Sequence, residues 1–398
     1  MVGNSNKKSK VDNLLLIELF LCAAIILFTL LQKPDMASGA FMLSFIILLI
    51  WFVTITFQFK ETKDSKDLLL VIFVLVLSLI SILVSSVVFN AEISFDYLKE
   101  YFVFAATILF LFIATVIETN EKTILILLKI NLLIGFLYPI ADRFFPQNEN
   151  IYVQNKYLNF SNPNLAGLWL LMSILYATIS LFCLKSKLWK ALAVIMLILD
   201  IKLLFETGSR NCLLALVIFI SLVIWIFIKE SPRFSNIFIG FMNLLPSAFL
   251  VLYLTLINFV LEKGWFDFLI DTGKPLTSRV KVWNTFIENV GNNWIFGAYP
   301  VASGNAHNSH LVLYASYGII TMVLTIIFIY KICSYINLCS KSKKNLYCLS
   351  AFFATLFTGF GEGAFFSGGM GLNISFSIFL ILARYDFKDE KRVEIKKI

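Results

Sequence analysis

Charge is scarce in this chain, and histidine is scarcer still. Only 15% of its 398 residues are Asp, Glu, Lys or Arg, and there are two histidines. So low a charged fraction excludes an ordinary soluble domain, which carries about a quarter charged residues. No D-x-D triplet occurs, the short basic connections hold no phosphate-cradling Gly motif, and no cysteines stand at zinc-ligand spacing. Six cysteines, Cys22, Cys183, Cys212, Cys333, Cys339 and Cys348, fall in apolar stretches or on their basic side, and none lies in the two long polar loops. A disulfide framework is therefore excluded, and the thiols are expected to pack as small apolar groups. Neither a metal nor a cofactor is expected.

What fills the chain instead is apolar. Hydrophobic residues make up 59%, and mean hydropathy is +0.85. About a dozen apolar stretches recur, near 14–31, 39–57, 68–89, 101–117, 123–141, 164–184, 188–205, 211–228, 237–260, 309–330, 346–363 and 371–384. Each has roughly the length that a bilayer-crossing helix needs. The fold class that follows is all-α: a polytopic membrane helix bundle of about 12 spans, with one long extracytoplasmic loop carrying short helices. Lys7, Lys8 and Lys10 resemble the start of a signal peptide, but the run from Leu14 to Leu31 is too long for one. Gln32-Lys33-Pro34-Asp35 follows it, with no small-x-small cleavage site, so the helix is expected to stay.

Basic residues orient the spans. With the N-terminus inside, cytoplasmic segments carry 22 Lys and Arg and outer segments nine, Lys129 and Lys202 lying within spans. The positive-inside rule then places both termini in the cytoplasm. The net charge of +8 reports topology and contact with anionic membrane lipids, and no nucleic-acid partner is expected. Three regions result: spans one to nine over 1–260, an outer loop over 261–308, and three further spans with a basic tail over 309–398. The outer segments 142–163 and 261–308 are the long ones, and long loops on a rigid scaffold carry chemistry.

Within the second loop, Ser278-Arg279 opens V-K-V-W-N-T-F-I-E-N-V, whose Val280, Trp283, Phe286 and Ile287 predict a short helix with one apolar face. Thr277 or Ser278 is the expected N-cap, with Arg279 in the first turn. A second pair, Ser209-Arg210, opens the span 211–228 at its outer end. A cation at a helix N-terminus opposes the dipole by about 0.3–1 kcal/mol. One such arginine could be an interfacial anchor or pair with Glu206; two favour an anion site, because guanidinium groups and helix N-termini both suit phosphate. His307 and His310 follow in N-A-H-N-S-H-L-V-L-Y-A-S-Y-G, over 305–318. Asn308 or Ser309 can cap the span 309–330, which puts His307 just outside the positive helix end as a neutral ring able to take a proton. His310 lies one step inside and reads as supporting. Glu362, in G-F-G-E-G, is a further polar group near an outer span end, either functional or simply exposed there. Asp200, Lys202 and Glu206 lie towards the outer end of their span, where Lys202 and Glu206 are spaced to pair. Lys129 and Glu18 are expected to snorkel at cytoplasmic ends.

The ordered set T-G-S-R-N at 207–211, S-R-V-K-V-W ending at Trp283, N-W-I-F-G at 293–297 and A-H-N-S-H-L-V-L-Y-A-S-Y-G-I-I at 306–320 resembles the O-antigen ligase/Wzy polymerase family. The resemblance covers roughly 207–320. It departs in Asn211, where a small residue often follows the arginine, and in Asn-Trp-Ile before the Phe-Gly turn. What it implies is a metal-independent membrane glycosyltransferase acting on undecaprenyl-diphosphate-linked glycans at the outer face of the bacterial cytoplasmic membrane. Arg210 and Arg279 would hold the diphosphate, His307 would deprotonate or orient the acceptor hydroxyl, and Asn308, His310, Trp283 and Glu362 would contact substrate. A repeat-unit polymerase for capsule, exopolysaccharide or O-antigen is the expected activity, with a chain-length regulator and a flippase as further partners. A ligase of the same family is the alternative. The protein-glycosylating branch is disfavoured because no sizeable C-terminal soluble domain is expected. A lipid-linked oligosaccharide flippase is the competing class, but no repeat relates the two halves, and polar residues gather at the outer boundary.

The charge count makes a topological prediction. Cysteines introduced at 155 and 270 should be labelled from outside intact cells, and one at 342 only after permeabilisation. External labelling at 342 would invert the orientation.

Overall fold

The computed structural model of the chain describes residues 2–31, 33–58, 65–93, 95–117, 119–144, 163–230, 232–263, 277–299, 307–359, 372–385 and 387. Among the described residues there is no strand, and fourteen helices follow one another. They are α1 (Val2–Leu30), α2 (Pro34–Gln58), α3 (Ser65–Val88), α4 (Phe95–Val116), α5 (Glu121–Gly135), α6 (Leu137–Phe144) and α7 (Pro163–Cys183). Then come α8 (Lys187–Thr207), α9 (Arg210–Ile228), α10 (Asn236–Lys263), α11 (Thr277–Val290), α12 (Ser309–Cys339), α13 (Lys343–Thr358) and α14 (Leu372–Arg384).

Among the described residues, eight helical segments are long and apolar enough to cross a bilayer: α1, α2, α3, α4, α5 with α6, α7, α9 and α12. This is consistent with a multi-pass membrane protein. The expected count of about 12 is not confirmed. Of the other four candidates, α8 carries Lys187, Lys190, Asp200, Lys202 and Glu206, α10 runs 28 residues with Pro246 inside it, and the described parts of α13 and α14 have 16 and 13 residues. Two of them are enclosed by their neighbours: α13 is buried from Asn345 to Thr358, and α14 over its second half. These two pack on each other and on α9 and α4, while α7 lies among α8, α5 and α13. Around them α1, α2, α3, α8, α9 and α10 turn apolar side chains outward, among them Phe20, Ile50, Val87, Ile198, Phe227 and Ile237. Such a continuous apolar exterior suits lipid rather than water.

Polar groups inside the bundle are paired with hydroxyls. Ser44 donates to Glu18 Oε2 at 2.5 Å, and Ser173 to Asp200 Oδ2 at 2.5 Å. Glu18 thus departs from the expectation that it snorkels. Against α2 its side chain is fully enclosed, and a carboxyl cut off from water takes the nearest hydroxyl donor. Lys202 does pair with Glu206, at 3.7 Å.

The longest helix is broken on purpose by a glycine. Inside α12, Gly318 adopts φ 80°, ψ 173°, and the expected span 309–330 continues past it to Cys339. The turn that follows α11 occupies the gap. Ile319 N–H donates to Trp294 O at 3.0 Å, and Ala298 N–H donates to Ala315 O at 2.6 Å, replacing the bond that would have joined 319 to 315. From α3, Ser81 donates to Tyr317 O at 2.9 Å and Ser85 to Gly297 O at 2.9 Å. A Cβ on Gly318 would lie 1.8 Å from Ile295 O, and one on Gly297, at φ 75°, would lie 2.7 Å from Ala315 O. Gly318→Ala should therefore destabilise the fold by about 2 kcal/mol or more, from left-handed strain and backbone collision together. In α2, Gly39 has nothing within 4 Å of its notional Cβ, so Gly39→Ala serves as the neutral control. Thermal unfolding in detergent should show a lowered Tm for the first only; equal Tm values would remove the wedge from its structural role.

Candidate functional site

The first arginine sits on a hairpin between two helices. Gly208 ends α8 in the left-handed conformation at φ 64°, and Ser209 is the N-cap of α9 without a capping side-chain bond. Arg210 is thus the first residue of α9, as the spacing predicted, and its side chain is exposed. Glu206 pairs with Lys202, and among the described residues Arg210 forms no ion pair. Beside it, Ser209 Oγ and Asn211 Oδ1 are buried with no hydrogen-bond partner. An orphaned buried polar atom costs about 1–3 kcal/mol.

The histidine segment is built on the start of α12. Asn308 is the N-cap, its Oδ1 accepting from His310 N–H at 3.1 Å and Leu311 N–H at 2.9 Å. Its Nδ2 donates to Pro246 O in α10 at 2.9 Å. The next residue of α10 holds the second histidine, with Ser247 Oγ lying 2.7 Å from His310 Nδ1. His307 precedes this cap, half-buried, at φ 52°. Among the described residues only Asn90 is another non-glycine with positive φ. A histidine tolerates this region better than most residues, yet it is held there by the cap that follows.

Two helix starts meet on one helix end. Asn211 Nδ2 donates to Thr358 O at 2.7 Å, and Ser309 N–H donates to Gly359 O at 2.8 Å. Thr358 and Gly359 are consecutive residues at the end of α13, their Cα atoms about 3.8 Å apart. The N-termini of α9 and α12, and with them Arg210 and His307, are in this way tied to one short piece of backbone. The helix α11 joins them from the side: Trp283 is fully buried against Leu311 and Val312 in the first turn of α12, with Phe249 of α10 edge-on at 6.4 Å. Thr277 opens α11 as a helical residue rather than capping it, and Arg279 stands in its first turn, four residues before Trp283. The side chain of Arg279 lies outside the described residues, and so does Glu362.

His310 and Trp283, both expected at the substrate, are instead enclosed. The imidazole is engaged with Ser247 and the indole fills the seam between α10, α11 and α12, because each falls on the inward face of its helix. They set where His307 and Arg279 stand. Sequence reasoning missed three contributors. Pro246-Ser247 was visible as a proline inside an apolar run, Asn211 as an amide within a span, and Ser78, Ser81 and Ser85 as a stripe at helical spacing along α3. All three serines are fully buried, and two of them reach the break in α12. Among the described residues no group of three or more His, Cys, Asp and Glu side chains could hold a metal ion. No family model matches the chain, and no curated protein matches it either.

Proposed function

We propose that the chain is a membrane glycosyltransferase that joins undecaprenyl-diphosphate-linked oligosaccharide units into a surface polysaccharide. One observation carries the reading: the starts of α9 and α12, bearing Arg210 and His307, are bonded to consecutive carbonyls at Thr358 and Gly359. An unpaired guanidinium and two convergent helix N-termini suit a diphosphate, whose charge reverses the unfavourable placement of the cation. In the proposed step, the acceptor hydroxyl attacks the anomeric carbon of the lipid-linked donor. The bond from that carbon to the diphosphate oxygen breaks, the new glycosidic bond forms, and the hydroxyl proton passes to the His307 imidazole. Undecaprenyl diphosphate leaves, its charge stabilised by Arg210 and Arg279. General-base assistance of this kind contributes about 10²–10⁴-fold.

A transporter reading would claim the broken α12, since interrupted helices build many transport sites. The amide of Ile319 and the carbonyls of Ala315 and Tyr317 are, however, bonded to the protein itself, so the break offers them to no cargo. A ligase that moves finished glycan onto a different acceptor would use the same groups in the same way.

Substitution separates these roles. His307→Ala should insert and fold normally yet lower glycan transfer by at least about a hundredfold, leaving single repeat units on the lipid. His310→Ala should lose less activity but lower Tm, since it loosens the start of α12. Arg210→Lys and Arg279→Lys should each lose most activity despite keeping the charge, because forked donation is lost. Purified protein given lipid-linked repeat units should lengthen them and release undecaprenyl diphosphate without added nucleotide. Long polymer from His307→Ala would refute the base assignment, and lipid translocation without transfer would replace the enzyme with a flippase.

A further inference from the structure

The end of the bundle opposite the candidate site carries a cleft of about 430 Å³. The opposite placement follows from α13, which runs from Lys344 at the cleft to Thr358 at the site. Its floor and walls are apolar, formed by Leu125, Leu184, Trp189 and Phe387 among others, and three lysines line it: Lys129, Lys185 and Lys344. Among the described residues, Glu121 is the one carboxylate in the lining. Lys129 Nζ lies 5.4 Å from the Trp189 ring centre, and Lys344 Nζ 5.9 Å from that of Phe387. Among the described residues neither of these lysines has a carboxylate partner.

The cleft is a built feature rather than a gap between loose ends. Ser342 and Asn345 form a reciprocal capping box at the start of α13. The Asn345 amide donates to Ala383 O at 2.8 Å and also to Tyr385 O, which fixes the segment after α14 that makes one wall. Arg384 donates to Ile117 O at 2.9 Å and secures the same segment from the other side. On a third side, Asn120 caps α5 through Thr123 N–H at 2.8 Å. Lys129 stands about 12 Å along α5 from Glu121, at the rise of one helical residue per 1.5 Å. Its side chain leans back towards the helix start, as helical side chains do, and so reaches the cleft. Beside Trp189, Leu188 is exposed, continuing the apolar surface of the cleft onto the outside of the bundle.

Positive charge held over aromatic rings, above apolar walls that open sideways, suits a ligand with an anionic head and a hydrocarbon tail. We propose that this cleft binds an anionic phospholipid of the adjoining leaflet, its phosphate between Lys129 and Lys344 and an acyl chain along Trp189 and Leu188. The inference requires only that the helices cross a bilayer and is independent of the glycan chemistry. Basic pockets between membrane helices bind acidic head groups by this combination of charge and hydrocarbon contact. A neighbouring cleft of about 820 Å³ shares Lys344 and is also lined by Arg233, Lys341 and Lys343; Arg233, which lines only this second cleft, supplies the control.

Native mass spectrometry of the full-length chain in detergent, titrated with phosphatidylglycerol or phosphatidylcholine of identical acyl chains, tests this. The wild type should retain phosphatidylglycerol selectively. Lys129→Gln with Lys344→Gln should weaken retention roughly tenfold to thirtyfold, at about one decade or less per lost cation. Arg233→Gln should leave it unchanged, and circular dichroism should show the double variant folded. Equal retention of the two lipids, or equal loss in Arg233→Gln, would reduce the effect to diffuse charge and overturn the proposal. Displacement of the lipid by millimolar glycerol 3-phosphate would also overturn it, because a site for free phosphate needs no acyl chain.

Discussion

The interaction on which the rest depends is the exchange of backbone hydrogen bonds at Gly318. An unbroken α12 would satisfy its own backbone and leave the turn 293–299 with nothing to hold it. By breaking at Gly318, the helix releases the amide of Ile319 and the carbonyl of Ala315, and the turn supplies a partner for each. In a bilayer such groups cannot be left to water, so the break and the turn require one another. Ser81 and Ser85 of α3 donate to Tyr317 O and Gly297 O, which ties three separate parts of the chain to one point. The consequence reaches the site: α11 is held by this turn after it and by Trp283 within it, and Arg279 stands in its first turn.

Around that point α13 and α14 are enclosed within the bundle, while α1, α2, α3, α8, α9 and α10 turn apolar side chains outward. The buried carboxyls of Glu18 and Asp200 take serine hydroxyls rather than counter-ions. A single hydroxyl partner leaves one oxygen of each carboxyl unbonded. Thr107, Thr325 and Thr355 also donate to carbonyls four residues back in their own helices.

The candidate site is assembled from placements that are individually unfavourable. Arg210 opposes a helix dipole, His307 is in a left-handed conformation, and Ser209 and Asn211 leave buried atoms without partners. Each is a local cost that packing elsewhere must offset, and their concentration at one end of the bundle is what sets that end apart. The opposite end has a different character, with reciprocal caps and paired amides holding its walls.

Much of this was legible in the chain itself. Apolar runs of bilayer length marked the helices, Asn308 was readable as a cap, and Lys202 and Glu206 as a pair, because each depends on neighbours within one helical turn. The glycines at 297 and 318 were visible as punctuation, but nothing in their local sequence says that they face each other. The burial of His310 and Trp283 was not legible, since a residue's spacing along a helix shows which face it shares and not what packs there. Span number is less legible, because an apolar run buried in a protein core looks the same as one buried in lipid. Composition and periodicity therefore determined that the chain is a bundle of apolar helices with polar chemistry at their ends. Only the tertiary structure decided which ends meet, because the bonds from Asn211 and Ser309 to Thr358 and Gly359 join residues about 50 to 150 positions apart.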